Sequence, residues 1–203
     1  AGMWALFAGS FEKHLTVEFD LTAGQAKDVA ARAKKKYREI IAKLPEFDKR
    51  DRFEMNIVNC AMLAAFILCM PQRPDIKTLT DYYAAAMMTP TMKAFCRASG
   101  KKKFTPKDIE GMKATAKLRA GDRNPYSWNM DFFEYEDGSG YEARFTTCGI
   151  CTLMQVLGLY DLTPALCHLD YTMSDAGGAS DFVREYTLAS GGPYCDCGYH
   201  KKQ

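Results

Sequence analysis

The period of the apolar residues changes near residue 121, and this change restricts the chain to helices first and a small antiparallel sheet afterwards. Up to that point apolar residues recur every three or four positions, as on one face of a helix. Thr22 to Leu44 reads as one such helix, with Thr22 as N-cap, Pro45 just beyond the end, and a stripe of Val29, Ala33, Tyr37, Ile40, Ile41 and Leu44. A second helix is expected from about Lys49 to Cys69. A third, from Leu79 to Ala98, contains Pro90 and should break or kink there. A fourth begins at the Thr105-Pro106 cap and ends near Gly121, with Ile109, Met112, Ala116 and Ala120 facing inward.

Beyond that point aromatic and β-forming residues take over. Trp128 to Tyr135 and Tyr141 to Thr147 flank a Glu136-Asp137-Gly138-Ser139-Gly140 turn and read as a hairpin. Helices follow from Gly149 to Leu157 and from the Thr163-Pro164 cap to about Asp175. Asp181 to Ala189 and Tyr194 to His200 then read as two strands around Gly191-Gly192-Pro193. The fold class this implies is α+β: a helical N-terminal region over residues 1–121, then residues 122–203 as a four-stranded antiparallel sheet of two hairpins with two helices inserted between them. The two regions are expected to form one compact unit.

With 47% hydrophobic and 26% charged residues, the chain can bury a full core as an ordinary globular protein. Its 27 basic and 25 acidic residues nearly cancel to a formal charge of +2, which gives no general attraction to nucleic acid. The runs Lys34-Lys35-Lys36 and Lys101-Lys102-Lys103 invite a phosphate-binding reading, but such runs are ordinarily the solvated face or end of a helix. The longest apolar run, Cys60 to Met70, is eleven residues, about half of the ~20 that cross a bilayer. Met3 to Phe7 is apolar but lacks the preceding basic residue of a secretory signal. The cytoplasm, where thiols stay reduced, is the expected location. The expected partner is a small-molecule substrate, with no nucleic acid and no membrane; a homo-oligomer is possible.

Five of the eight cysteines fall in the last 56 residues, with Asp170 and Asp196 among them. Cys148 and Cys151 form a C-x-x-C where a strand meets a helix, and the unpaired N–H groups of a helix start lower a thiol pKa. Cys167 and Asp170, three apart on a helix, project from one face and put a thiol and a carboxylate within reach of one pocket. Cys195 and Cys197 alternate with Asp196 along the last strand, so both thiols face one side and Asp196 the other. Together Cys148, Cys151, Cys195 and Cys197 have the ligand types of a zinc or iron-sulfur site, although the 43 residues between Cys151 and Cys195 fit no short zinc module. Arg184 and Thr187, expected on the strand opposite Cys195, are candidates to bind a substrate carboxylate. His14, His168 and His200 suggest no triad, and Met87, Met88 and Met92 read as core filler.

Several of these segments resemble one known family. They are Thr147-Cys148, Leu157-Gly158-Leu159, the run from Leu162 to Asp170 that contains Leu166-Cys167-His168-Leu169-Asp170, and Arg184 to Gly192 followed by Cys195-Asp196. The family is that of L-2-amino-thiazoline-4-carboxylic acid hydrolase, and the resemblance runs from Thr147 to Asp196. It implies that Cys148, Cys167, Asp170 and Cys195 are the functional positions, with Cys151 and Cys197 outside the pattern. Gly149 stands where the family commonly has proline, and Cys197 where it has an aromatic residue. The activity implied is hydrolysis of a non-peptide C–N system, a cyclic amidine or isothiourea such as 2-amino-thiazoline-4-carboxylate, with no cofactor. On this expectation Cys195 or Cys167 attacks, with Cys195 slightly favoured as the more accessible. Asp170 moves protons and holds the amidinium, and Arg184, with Thr187 and Asp196, binds the substrate. The alternatives are a metal or small-ligand binding protein built on the C-x-x-C and C-x-C pairs, and a structural protein in which the thiols are buried filler.

Overall fold

The computed structural model describes residues 2–202, and the chain begins with a helix that the periodicity reading does not assign. In Met3–Glu18 (α1), Met3, Phe7, Phe11 and Leu15 recur every fourth residue and are all buried. Full burial of Phe11 and Leu15 contributes about 1.5–3 kcal/mol each. Ala23–Ile41 (α2) opens on a capping box: the Thr22 side chain accepts from the Gln25 N–H, and the Gln25 side chain accepts from the Thr22 N–H. Glu54–Cys69 (α3) is apolar on almost every face beyond its first turn, and Cys60 to Ile67 are all buried. Trp4 stacks on its Phe66, with ring centroids 5.5 Å apart.

The expected second helix starts late, at Glu54, because the Asp51 carboxylate accepts the Phe53 N–H at 2.8 Å and holds the preceding residues in a turn. The expected third helix is two. Ile76–Met87 (α4) is capped by Asp75, and Pro90–Gly100 (α5) by Thr89 with Pro90 in its first turn, where the missing N–H costs nothing. Pro106–Arg119 (α6) is capped by Thr105. Among the described residues no helix is long and apolar enough to cross a membrane.

Met130–Glu134 (β1) and Gly140–Phe145 (β2) form the first hairpin. Gly149–Val156 (α7), a single 3-10 turn at Tyr160–Leu162, Thr163–Cys167 (α8) and Leu169–Gly177 (α9) follow. Ser180–Val183 (β3) and Cys195–Lys201 (β4) complete an antiparallel sheet ordered β1-β2-β4-β3. In register, Phe145 lies opposite Cys195, Ala143 opposite Cys197, and Val183 opposite Gly198. The architecture is α+β, with α6 against β1 and α9 against β3. The main buried cluster draws on both regions of the chain: Phe11, Phe66 and Tyr83 share it with Leu153, Leu162 and Leu166.

Two further elements differ from expectation, and these differences lie at the site. The helix expected from Thr163 to about Asp175 breaks at His168. There the Cys167 carbonyl accepts from Arg184 Nη1 at 3.0 Å, and the Tyr171 N–H turns to the His168 carbonyl at 3.2 Å. The strand expected over Asp181 to Ala189 stops at Val183, because the Asp196 carboxylate takes the Glu185 and Tyr186 N–H groups that a longer ladder would use. Arg184 therefore stands just past β3, beside Cys197 rather than opposite Cys195.

Candidate active site

Cys148 is the N-cap residue of α7, so the unpaired N–H groups of the first helical turn lie ahead of its thiol. Gly149 permits the approach: a Cβ there would strike the Tyr126 carbonyl and crowd Ile57, which leaves no room for the proline common in the family. The Cys151 thiol, then the backbone N–H groups of Cys151 and Ile150 and the Trp128 indole, favour the Cys148 thiolate. They outweigh burial and bring its pKa down to about 7. No side-chain cap hydrogen bond is closed at this N-cap. Cys151, one turn inside the helix, is pushed up by its hydrogen bond to Cys148 and by burial.

The other thiols are held neutral. Burial first, then the charges of neighbouring groups, pushes Cys60 and Cys167 up, and takes Cys197 up to about 12. Cys195 is also raised by burial, although the Leu188 N–H donates to its Sγ at 3.2 Å. Of the eight cysteines, Cys148 alone is shifted toward the thiolate. The Cys167 thiol feels the charges of Cys148 and Asp170, which raise its pKa, and that of Arg184, which lowers it.

Arg184 is the hub. Its side chain is only 7% exposed; Nη1 donates to the Cys167 carbonyl at 3.0 Å, and Nη2 donates to Asp170 Oδ2 at 2.5 Å and to Cys197 Sγ at 2.9 Å. With these partners it has only the buried Nε unpartnered, so it is committed to holding α8, α9 and β4 together. Asp170 keeps its second oxygen free and is 44% exposed. Asp196 is spent on backbone, its two oxygens accepting from Glu185 and Tyr186 at 2.8 and 2.6 Å. The Thr187 hydroxyl accepts the Ser190 N–H at 3.1 Å and so shapes the turn that carries Leu188.

The structure thus brings Cys148, Cys167, Asp170, Cys195 and Arg184 into one region and sets Thr187 and Asp196 at its supporting edge. Cys151 and Cys197, outside the resemblance pattern, both stand in it. The four thiols of the metal alternative do not converge: Cys151 pairs with Cys148, while Cys197 turns to Arg184. Among the described residues no group of three or more His, Cys, Asp or Glu side chains is placed to hold a metal ion. Sequence reasoning missed Trp128 and the buried Arg119, whose Nε donates to the Trp128 carbonyl at 3.3 Å while Nη1 pairs with Asp51 at 3.2 Å. An Arg at the inward face of α6 was the available signal.

No curated protein and no solved structure matches the chain. A family model described as L-2-amino-thiazoline-4-carboxylic acid hydrolase matches residues 50–199, from the turn before α3 into β4, and so takes in α3 to α6 as well as the motif segments, with α1 and α2 outside the match. Because that stretch is most of the 203 residues, the chain belongs to the L-2-amino-thiazoline-4-carboxylic acid hydrolase family.

Proposed function

We propose that this protein is a hydrolase that opens a small cyclic isothiourea such as 2-amino-thiazoline-4-carboxylate, with Cys148 as the nucleophile. Cys148 takes this role in place of Cys195. The observation that supports the choice is its position as N-cap of α7, where backbone and indole donors favour the thiolate at neutral pH while burial holds the other thiols protonated.

The thiolate adds to the ring carbon that carries both nitrogens and sulfur. The ring C–S bond breaks, the departing sulfur takes the Cys151 proton, and a covalent isothiourea remains on Cys148. Water then adds to the same carbon and Cys148 leaves as the thiolate. The two protons of that water go to a product nitrogen and back to Cys151. One water is consumed, both C–N bonds survive, and the product is an N-carbamoyl amino acid with a free thiol. Asp170 holds the amidine N–H groups through its free oxygen. Arg184 is a positioning residue that fixes Asp170 and the end of α8.

Thiol release from 2-amino-thiazoline-4-carboxylate, followed with a chromogenic disulfide, tests the reading. The wild type should release one thiol per turnover, Cys148→Ala none, and Asp170→Asn far less. Full turnover by Cys148→Ala would remove Cys148 from the mechanism. A wild type that releases no thiol would remove the reaction.

A further inference from the structure

A cavity of about 240 Å³ lies between α5, α9 and the β3–β4 edge, bordering the thiol region only at Asp170. Phe95, Lys103, Asp108, Asp170, Ser174 and Tyr199 are among its walls. Its frame is rigid at one point: a Cβ on Gly100 of α5 would strike the Gly177 carbonyl, so α5 and α9 meet there at backbone distance.

Lys103 sets the cavity's chemistry. In the sequence it reads as the end of a solvated lysine run, yet its ammonium lies 3.4 Å from the Tyr199 ring centroid and 5.1 Å from that of Tyr141. Among the described residues it makes no ion pair, and burial lowers its pKa to about 8. The carboxylate beside it is occupied, since Asp108 Oδ2 accepts from the Phe104 N–H at 2.8 Å and from the Tyr141 hydroxyl at 2.9 Å. The first of these bonds holds Phe104 at φ 62°, a left-handed conformation that costs a non-glycine residue about 1–2 kcal/mol. The strained turn places the preceding Lys103 in the cavity wall. Asp170 adds the opposite charge, with one oxygen bound to Arg184 and the side chain otherwise open.

An ammonium with no direct ion pair, a half-exposed carboxylate and aromatic walls around a small volume match a ligand that carries both charges. We propose that this cavity binds a small amino-acid-like zwitterion, its carboxylate on Lys103 Nζ and its cationic nitrogen group on Asp170. The identification of that ligand with the hydrolase's own substrate or product rests on the function proposed above; binding in the cavity does not.

Calorimetric titration of the full chain carrying Cys148→Ala, which removes the proposed nucleophile, tests the site with two pairs of probes. The pairs are 2-amino-thiazoline-4-carboxylate against 2-aminothiazoline, and L-cysteine against cysteamine; each second member lacks only the carboxylate. At least one carboxylate-bearing probe should bind. Adding Lys103→Met should weaken it about tenfold or more and leave its decarboxylated partner nearly unchanged, which also shows that the cavity is intact. If no carboxylate-bearing probe binds, or if Lys103→Met fails to discriminate within either pair, the proposal is overturned. Thiol release by the wild type reads the hydrolase proposal separately. Lys103-dependent binding without turnover keeps this site, and turnover with binding indifferent to Lys103 removes it.

Discussion

Arg184 holds the Cys167 carbonyl at 3.0 Å, and that bond ends one helix and starts another. Across this break the Tyr171 N–H bonds to the His168 carbonyl, three residues back, in place of the Cys167 carbonyl that an unbroken α-helix would use. The same guanidinium grips Asp170 and Cys197, which makes the break the point where two helices and the last strand are locked together.

Arg184→Met should destabilise the protein by about 1–3 kcal/mol in urea unfolding, toward the lower end because solvent screens the half-exposed Asp170. It should lower kcat more than it raises KM if the residue positions Asp170 rather than binding substrate. A loss confined to KM would assign it to substrate binding.

The alkylation rate of Cys148 by iodoacetamide should rise with pH around a midpoint near 7 and level off above it, because the thiolate is the reacting form. Mass mapping of the modified thiol across pH 5–10 measures this. A midpoint at the ordinary ~8.5 of a free thiol would remove the activation ascribed to α7 and Trp128.

Arg119→Met leaves the Asp51 carboxylate buried against Ser127 without its cation, and should cost about 3–5 kcal/mol. It also frees the Trp128 carbonyl, so in variants that still fold the Cys148 alkylation midpoint should move up. Asp51→Asn should cost less, since it leaves Arg119 its contact with Asp122. Thermal unfolding of both variants, paired with the alkylation profile, checks the order.

Stability should fall as pH rises above about 8.5. Cys60, Cys167 and Cys197 have raised folded-state pKa values, so they stay protonated when folded but ionise once unfolded. Above the unfolded thiol pKa near 8.5 the native state then binds more protons than the unfolded one. Stability contributed by these thiols is complete below that pH, and each loses up to about 1.4 kcal/mol per pH unit above it. Urea midpoints should decline from pH 8.5 to pH 9.5, whereas between pH 7 and 8.5 the lowered pKa values of Cys148 and Lys103 act in the opposite direction. A midpoint that rose from pH 8.5 to pH 9.5 would contradict the burial of these groups.

Much of the fold was legible because it depends on local rules. Thr22 and Thr105-Pro106 start helices through their own side chains, Pro90 breaks the third one through its own ring, and Glu136 to Gly140 turns a hairpin through its own backbone. The motif around Cys167 and Asp170 pointed to the family, and the match over residues 50–199 extends beyond it to the helices α3 to α6. The first helix escaped because its four-residue stripe sits in a short apolar start that was weighed only as a signal segment.

What the sequence determined by itself was the alternation of helix and strand and the set of residues able to do chemistry, since capping, periodicity and residue type act over a few neighbours. Tertiary structure decided which of those residues are free to do it. Arg184 meets Asp170 fourteen residues away and Cys197 thirteen away, and Asp196 reaches back to Glu185 and Tyr186. Spacing in the chain carries no record of such pairings, because they follow from how β3, β4 and α9 pack. Packing also separates Cys148, exposed to donors at a helix start, from thiols of the same chemical type that burial keeps protonated.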